Sequence, residues 1–407
     1  MAGPLAGLRV LDLSRVLAGP WCSQLLADMG AEVIKLERPG RGDDTRSWGP
    51  PYLKDRDGQD TPDAAYFLAA NRGKQSVTVD FTRPEGQALV RELAAVSDVL
   101  LENLKVGDLA RYGLDYATLS AINPRLVYCS ITGFGQTGPL ASRPGYDFII
   151  QAMGGLMSVT GERDDRPGGG PQKLGIAYAD MTTGMHAAIG VLAALVQRGV
   201  SGRGQYIDLA LLDVQVASMA VMAMNYFVGG RVPGRYGNAH PNIVPYEVFA
   251  AADGPLVLAV GNDAQFARLC QVAGVPELVL DERFAGNGGR VRNREELIAR
   301  LQQIFATRPA QAWEDALCAA DVPCGRINDM AQVFEQPQVQ ARGMKISLDH
   351  PIAGPVPLVG SPLRFSDTPV AYRLPPPRLG EHTDAVLGGL LGRTAAQIAA
   401  LRAAGVV

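Results

Sequence analysis

One aspartate stands in a setting that suits covalent chemistry. The stretch Gly175-Ile-Ala-Tyr-Ala-Asp180-Met-Thr-Thr-Gly184 predicts a carboxylate on the first turn of an apolar helix that runs to about Arg198. The start of a helix offers unpaired N–H groups and the positive end of the dipole, which suit a carboxylate. Small neighbours leave room for a bulky reactant, so Asp180 is a candidate nucleophile. The simpler interpretation is a helix cap, which is a common role for aspartate.

Basic residues cluster in the first third of the chain. They are Arg15, Lys35, Arg38, Arg41, Arg46, Arg72 and Lys74. Several follow predicted strands, where a parallel sheet binds its ligands. In a chain of net charge −3, this local set favours a small polyanion such as a phosphorylated cofactor. For any one arginine, a solvated surface charge is the alternative.

Composition and motifs exclude several classes of protein. The net charge of −3 and the 19% of charged residues do not fit a nucleic-acid-binding surface. The turn after the first predicted strand, Asp12-Leu-Ser-Arg-Val-Leu-Ala-Gly19, has no GxGxxG, which argues against NAD despite Glu37 after the second strand. The five scattered cysteines and four scattered histidines predict no metal site and buried thiols in a reducing compartment.

The order of the predicted elements indicates the fold class. Strands at 8–13, 32–36, 76–80, 98–101 and 126–131 alternate with helices at 19–29 and 84–95, which predicts an α/β protein with a parallel, Rossmann-like sheet. We expect a large domain to begin with residues 1–200. A linker helix would follow over 201–227, then a smaller α+β domain over 228–335. Residues 336–407 would return to the large domain.

Several motifs resemble, in order, those of the family III coenzyme A-transferases (the CaiB/BaiF family), which include formyl-CoA and carnitine CoA-transferases. They are Val10-Leu-Asp-Leu-Ser-Arg-Val-Leu-Ala-Gly-Pro20, Gly30-Ala-Glu-Val-Ile-Lys-Leu-Glu-Arg-Pro-Gly40, Gly42-Asp-Asp-Thr-Arg46, Asn71-Arg-Gly-Lys74, Glu102-Asn103, Arg143-Pro-Gly-Tyr-Asp147 and the Asp180 stretch. Within the family, Gly237-Asn-Ala-His-Pro-Asn-Ile-Val-Pro-Tyr246 and Gly261-Asn-Asp263 look most like the succinyl-CoA:dicarboxylate branch, including the glutarate enzyme.

The resemblance implies a fold and a set of roles. It implies an interlocked homodimer, with coenzyme A thioesters as substrates and no prosthetic group. Asp180 matches the nucleophile, which forms an acyl–aspartyl anhydride and then an aspartyl–CoA thioester. The implied CoA contacts are Val16, Leu17, Ala18, Arg38, Val79, Asn103, Arg111 and Tyr146. Arg38 and Arg111 would face phosphates.

The sequence departs from the formyl-CoA enzymes at two points. Leu17 stands where they carry Gln, and Val260-Gly261-Asn262 stands where they carry a run of glycines. Oxalate is therefore not the expected acceptor, and Gly261 and Asn262 become the candidates for a loop that closes over Asp180. We expect a short dicarboxylate such as glutarate, itaconate or malate, received from succinyl-CoA.

The acceptor contacts follow from the same expectation. Arg15, Arg46 and Arg72 are candidates for a clamp on the distal carboxylate. Alternatively, these arginines pair with Glu37, Asp43 or Asp44. His240 either contacts substrate or caps a turn.

Two other functions compete with the transferase. A 2-methylacyl-CoA racemase needs a histidine in Gly-His-Asp, but this chain has Gly145-Tyr146-Asp147, and free tyrosine, with a pKa of about 10, is a poor base at neutral pH. A non-catalytic CoA-binding protein would keep Arg38 and Arg111 without needing Asp180. No secretory signal and no spanning helix is evident, so we expect a cytoplasmic protein without a membrane partner.

Overall fold

Strands and helices alternate through the first 210 residues of the computed structural model, which describes residues 3–407. The strands are β1 Arg9–Asp12, β2 Glu32–Glu37, β3 Tyr52–Lys54, β4 Asp60–Ala64, β5 Lys74–Thr78, β6 Val99–Glu102, β7 Val127–Thr132, β8 Tyr206–Ala210, β9 Tyr246–Ala250, β10 Pro255–Ala259, β11 Cys324–Arg326, β12 Lys345–His350 and β13 Gly354–Val359.

The helices lie between these strands and close the chain. They are α1 Ala18–Asp28, α2 Ala65–Ala69, α3 Pro84–Ala95, α4 Tyr116–Ile122, α5 Asp147–Met153, α6 Leu156–Val159, α7 Tyr178–Ser201, α8 Leu211–Ser218, α9 Ala220–Gly229, α10 Asp263–Ala273, α11 Glu277–Leu280, α12 Asn287–Arg292, α13 Arg294–Phe305, α14 Ala310–Ala319, α15 Met330–Glu335, α16 Pro337–Ala341, α17 Thr383–Leu391 and α18 Ala395–Ala403. The described residues also contain two 3-10 turns, Asp44–Ser47 and Ala110–Tyr112.

Six strands form one parallel sheet in the order β5-β2-β1-β6-β7-β8. The chain builds one half outward from β1 through β2 to β5, and then the other half from β6 to β8. This is the doubly wound order of the Rossmann fold, which reverses direction between its two central strands. The predicted parallel α/β sheet is therefore confirmed, and a crevice is expected beyond the carboxyl ends of β1 and β6.

Alternate residues of the strands enter two different cores. Val10, Val33 and Val99 point to one face, where they pack with α1 and α7. Leu11 and Ile34 point to the other face, where they pack with α3 and the terminal helices α17 and α18. Because both faces are covered, the central strands β1, β2, β6 and β7 are buried at nearly every position, as is usual in parallel sheets.

The chain divides into two compact units. Of the described residues, the first contains 3–156, 174–224 and 338–407, and the second contains 157–173 and 225–337. The second unit has its own core, built around the antiparallel sheet β11-β10-β9 and helices α10, α13 and α14. Residues 157–173, which the sequence interpretation gave to the large domain, belong to the second unit.

Two hairpins were not predicted. β3 pairs with β4, and β12 pairs with β13, both antiparallel. The prolines of β13, Pro355 and Pro357, discouraged a strand assignment. They are two residues apart, so their nitrogens lie on the same side of the strand, and an edge strand tolerates a side that lacks N–H donors.

The linker predicted as one helix over 201–227 is interrupted. It contains β8 and then two helices, since α8 ends at Ser218 and α9 begins at Ala220. Ala220 has a positive φ of 34°, which no residue inside a right-handed helix adopts. Apolar residues continue on both sides of the break, which is why the sequence did not reveal it.

Helix α7 is long and apolar enough to cross a membrane, as is the bent pair α8 and α9 taken together. Half of the apolar window of α7 is buried inside the protein, where it packs on α1 and β7. Such packing is that of a core helix.

The cysteines of the described residues are all free. Cys22, Cys129 and Cys270 are buried as expected, whereas Cys318 is exposed, contrary to the expectation of buried thiols.

Candidate active site

A cleft opens between the ends of β1 and β6, where the order in which the chain adds strands to the sheet reverses. The loop after β1 and the segment after β6 meet there, because the Arg15 N–H donates to Asn103 Oδ1 at 2.8 Å and Asn103 Nδ2 donates to the Arg15 carbonyl at 2.7 Å. The cleft has a volume of about 180 Å³ and reaches the first turn of α7. Its position is the one expected for ligands of a doubly wound sheet.

This first cleft gathers residues that lie far apart in the sequence. Those predicted as site residues are Arg15, Val16, Leu17, Ala18, Asn103, Tyr146 and Asp180. Four separate chain segments, at residues 15–18, 103, 146 and 180, therefore line the same cleft. Their meeting brings the candidate nucleophile to the predicted CoA contacts.

A second cleft of about 240 Å³ lies on the other side of Arg15 and Asp44, which line both. Arg38 and Val79 line this second cleft together with Arg41. An elongated ligand with phosphates could therefore extend from one cleft to the other.

Arg111 differs from the other predicted CoA contacts. It lines neither cleft, it is exposed, and its guanidinium pairs with Asp108 three residues earlier. Its role as a phosphate ligand stays a prediction.

Asp180 is the third residue of α7 and lies partly buried in the wall of the first cleft. Its backbone N–H donates to Asp147 Oδ1 at 3.2 Å. Burial and the neighbouring Asp147 carboxylate raise the pKa of Asp180 to about 7. The positive end of the helix dipole favours the charged form, but desolvation and the like charge outweigh it.

Asp147 is held in place by its own helix. Gln151, which is fully buried, donates from Nε2 to Asp147 Oδ2 at 2.7 Å and accepts the Leu174 N–H at 3.0 Å. The segment that carries Asp147 approaches β7 closely, since a Cβ on Gly145 would lie 2.6 Å from the Cα of Gly133. Asp147 is thus a fixed neighbour of Asp180, which the sequence interpretation did not identify.

The small residues around Asp180 serve packing. A Cβ on Gly184 would lie 2.6 Å from the Ala18 carbonyl oxygen, so glycine lets α7 approach α1. Ala179 and Thr183 are fully buried. The expectation that these residues leave room for a reactant is wrong for them, and the approach to Asp180 comes from the cleft instead.

The structure contradicts two members of the predicted arginine clamp. Arg46 is buried and binds Glu37 at 2.7 Å and Asp63 at 2.5 Å. Arg72 is buried and binds Asp28 at 2.6 Å. A guanidinium that is buried and already paired cannot turn toward a ligand without leaving a carboxylate uncompensated, which is costly.

Two lysines of the predicted basic set are also not available to an anionic ligand. Lys35 and Lys74 are fully buried, and they bind Asp43 and Asp12. Arg15 alone of the clamp faces the cleft, and it pairs loosely with Asp44 at 3.3 Å.

Three predicted residues lie in the second unit. His240 Nδ1 accepts the Asn242 N–H at 3.1 Å, which is the turn-capping alternative. The Gly261 N–H donates to Gln265 at 2.7 Å, and Asn262 caps α10 by accepting the Gln265 N–H at 2.9 Å. These contacts explain their local structure, and their part in substrate binding stays a prediction.

Sequence reasoning missed two further residues of the site. Arg143 lines the first cleft with its guanidinium 5.6 Å from the Phe134 ring; its place in the Arg143-Pro-Gly-Tyr-Asp147 motif was the available signal. Tyr66 lies close to the carboxylates of Asp180 and Asp147. Burial, Asp180 and Asp147 raise the pKa of Tyr66 to about 12.

Within residues 3–407, no group of three or more His, Cys, Asp or Glu side chains could hold a metal ion. The cleft instead offers a carboxylate, flanking cations and backbone groups at the start of a helix. This arrangement suits an α/β protein that binds an anionic ligand at the switch point of its sheet.

Comparisons with known proteins agree with this class. The model of CoA-transferase family III matches residues 5–383. A succinate–glutarate CoA-transferase of Agrobacterium fabrum is 51% identical over 392 residues, covering 95% of this chain and 96% of the relative. A human succinyl-CoA:glutarate CoA-transferase is 42% identical over 404 residues, covering 99% and 90%.

A solved structure agrees as well. A CaiB/BaiF family protein from Brucella suis superimposes with a TM-score of 0.84 at 49% identity, covering 96% of this chain and 100% of that one. The chain belongs to the family III CoA-transferases.

Proposed function

We propose that this protein moves coenzyme A from succinyl-CoA to glutarate or a similar short dicarboxylate through covalent intermediates on Asp180. The observation that carries the proposal is the Asp180 carboxylate in the wall of a cleft lined by Val16, Leu17, Ala18 and Asn103. The names of the relatives supply the substrates.

The reaction needs no net proton transfer and no other energy source. The Asp180 carboxylate attacks the thioester carbonyl, the C–S bond breaks, and coenzyme A leaves as a thiolate from the acyl–aspartyl anhydride. The thiolate attacks the Asp180 carbonyl and releases the donor acid, which leaves an aspartyl–CoA thioester. The acceptor carboxylate then repeats both exchanges in reverse order.

The proposed ligand fits the two clefts in charge. The thioester end would lie in the first cleft beside Asp180, and the nucleotide end in the second cleft between Arg38 and Val79. Arginine binds phosphate oxygens through two parallel N–H bonds. Arg111 remains a candidate for a phosphate contact.

The direct test is intact mass spectrometry after mixing the protein with succinyl-CoA alone. We expect an adduct that maps to Asp180 and that hydroxylamine removes. A protein that binds succinyl-CoA and forms no adduct would contradict the proposal. In that case deuterium wash-in at the α-carbon of a branched acyl-CoA would test the racemase alternative.

Acceptor choice is expected to depend on Arg15 and Arg143, the two arginines that line the first cleft. Arg15 is about half exposed and its partner Asp44 lies at 3.3 Å; such surface pairs contribute roughly 0–1 kcal/mol, so a carboxylate can displace one. Replacing Arg143 by Gln should raise the KM for glutarate by about tenfold to a hundredfold, because a charged hydrogen bond contributes roughly 1.5–3 kcal/mol.

Valerate is the matched acceptor for this test, since it has the same length and lacks the distal carboxylate. We expect Arg143→Gln and Arg15→Gln to reduce the preference for glutarate over valerate and to leave the KM for succinyl-CoA less affected. An unchanged preference in both variants would remove these arginines from acceptor recognition. Itaconate and malate belong to the same screen.

The homodimer is supported by apolar surface on the first unit. Ile189, Val196 and Val200 of α7 are 62%, 74% and 84% exposed. A row of exposed branched residues on one helix is unusual for a monomer and typical of an interface. A second copy of this chain, interlocked as in the family, would cover it.

Sedimentation equilibrium tests the dimer. The wild-type protein is expected to have the mass of two chains of 43.2 kDa each. A monomer at micromolar concentration would contradict the proposal. The five free cysteines fit a reducing compartment, and we infer a cytoplasmic location.

A further inference from the structure

Val16 has an unusual backbone conformation for its type. Its φ is +69°, in the left-handed region that β-branched residues avoid because of the clash between Cβ and the backbone. The residue lines the first cleft, one position before Leu17 and two before Ala18, where α1 begins. A strained residue persists only where its surroundings over-determine it, and such residues cluster at functional sites.

Asp43 is one of the groups that hold Val16. Its carboxylate oxygens accept the Val16 N–H at 3.2 and 3.3 Å. Burial would raise the pKa of Asp43, but Lys35 and the hydrogen bonds from Thr45 outweigh it and hold that pKa below its usual value. Asp43 is therefore an anionic acceptor at neutral pH, and a charged acceptor binds an N–H more strongly than a neutral one.

Lys35 completes this contact. Its ammonium binds Asp43 Oδ2 at 2.9 Å and donates to the Ser14 carbonyl at 2.9 Å, and both charged side chains are fully buried. The pair connects two points of the loop between β1 and α1, because Lys35 binds the Ser14 carbonyl and Asp43 binds the Val16 N–H. A buried ion pair is seldom the most stabilising choice for a core position, since its desolvation cost is high.

Asn103 holds the residue between these points. Its side-chain amide binds both the N–H and the carbonyl of Arg15, at 2.8 and 2.7 Å. Ser14 also donates its N–H to Asp12 at 2.9 Å. The backbone of residues 14–16 is therefore bound by side chains from β1, β2, β6 and their loops.

We propose that Asp43 and Asn103 are positioning residues, which keep Val16 in the left-handed conformation and thereby fix Leu17 and Ala18 against the reacting carboxylate of Asp180. Leu17 and Ala18 precede the first intrahelical bonds of α1, so their N–H groups have no acceptor within the helix. A displacement of about 1 Å at such a site can slow a reaction about a hundredfold. The inference rests on the proposed function, because Asp180 is taken as the reacting group.

A double-mutant cycle separates this role from a merely structural one. Asp43→Asn is expected to reduce kcat by about thirtyfold when residue 16 is valine, because the strained residue relaxes once the charged acceptor is lost. Glycine adopts a positive φ without the Cβ clash. In a Val16→Gly background the same replacement should therefore reduce kcat by less than about fivefold.

Asp63→Asn is the matched control. Asp63 is also buried and binds Arg46, and its bonds do not involve residues 14–16. Its replacement should reduce kcat by the same factor in the wild-type and the Val16→Gly backgrounds, whatever that factor is. Equal factors for Asp43→Asn in the two backgrounds would overturn the inference.

Asn103→Ala gives a second cycle if Asp43→Asn does not fold, because Asn103 lies at the rim of the cleft rather than in the core. We expect its loss of kcat to be smaller with Val16→Gly, while any change in the KM for succinyl-CoA is the same in both backgrounds. Loss of kcat by the same factor in the two backgrounds would count against the inference. A wild-type protein without an Asp180 adduct would contradict the proposed function instead, so the two failures are distinguishable.

Discussion

Replacing Asp180 by asparagine is expected to reduce transferase turnover by at least about a thousandfold and to prevent adduct formation. The amide is nearly the same size as the carboxylate but is not a nucleophile toward a thioester. Because the cleft and its cations are unchanged, the variant should still bind coenzyme A. Turnover assays, intact mass spectrometry and calorimetric titration with coenzyme A measure the three properties.

Asp213 provides the control for this variant. It is the third residue of α8, as Asp180 is of α7, and it is exposed outside the first cleft. Asp213→Asn should retain turnover and the adduct. If Asp180→Asn kept its turnover within about tenfold of the wild type, a non-covalent or binding role would replace the nucleophile.

The pH dependence of adduct formation is the second large effect. The ionised carboxylate is the nucleophile, and the pKa of Asp180 is raised to about 7 by burial and by Asp147. The rate of adduct formation should therefore fall about tenfold per pH unit below this pKa and level off above it. Stopped-flow measurement of succinyl transfer between pH 5 and 9 gives the profile.

Asp147→Asn tests the cause of this shift. The amide oxygen can still accept the Asp180 N–H, while the like charge is removed. The acid limb should move to lower pH, although burial keeps it above the value of a free carboxyl group. An unmoved limb would mean that burial alone sets the pKa of Asp180.

The contribution of Asp180 to the free energy of unfolding should fall as pH rises, whereas the rate of adduct formation rises. Because the folded-state pKa of Asp180 is raised, the folded protein binds this proton more tightly than the unfolded chain does. That contribution is complete below the unfolded pKa and is lost as pH rises through about 7. Asp180→Asn should therefore raise the Tm more at pH 8 than at pH 5, and a pH-independent change in Tm would contradict the raised pKa.

The order of strands and helices along the large unit was predictable, because the sequence of each element has a local pattern that indicates it. Pro84 and Glu85 open α3 at the predicted residue, and the apolar runs of β1 and β2 match those of strands buried on both faces. The break at Ala220 was missed because apolar residues continue on both sides of it, and the β13 hairpin was missed because prolines disfavour strands.

By itself, the sequence determined the parallel α/β fold, the family and the carboxylate at the start of α7, since these depend on local periodicity and on ordered motifs. Only the tertiary structure decided how the charges are distributed. Arg72 meets Asp28 across 44 residues, and Asp180 meets Asp147 across 33. The charge of each side chain is known from the sequence, but its burial and pairing depend on which segments of the chain become neighbours in the fold. That is why Arg46 and Arg72 stabilise the core while Arg15 and Arg143 face the cleft.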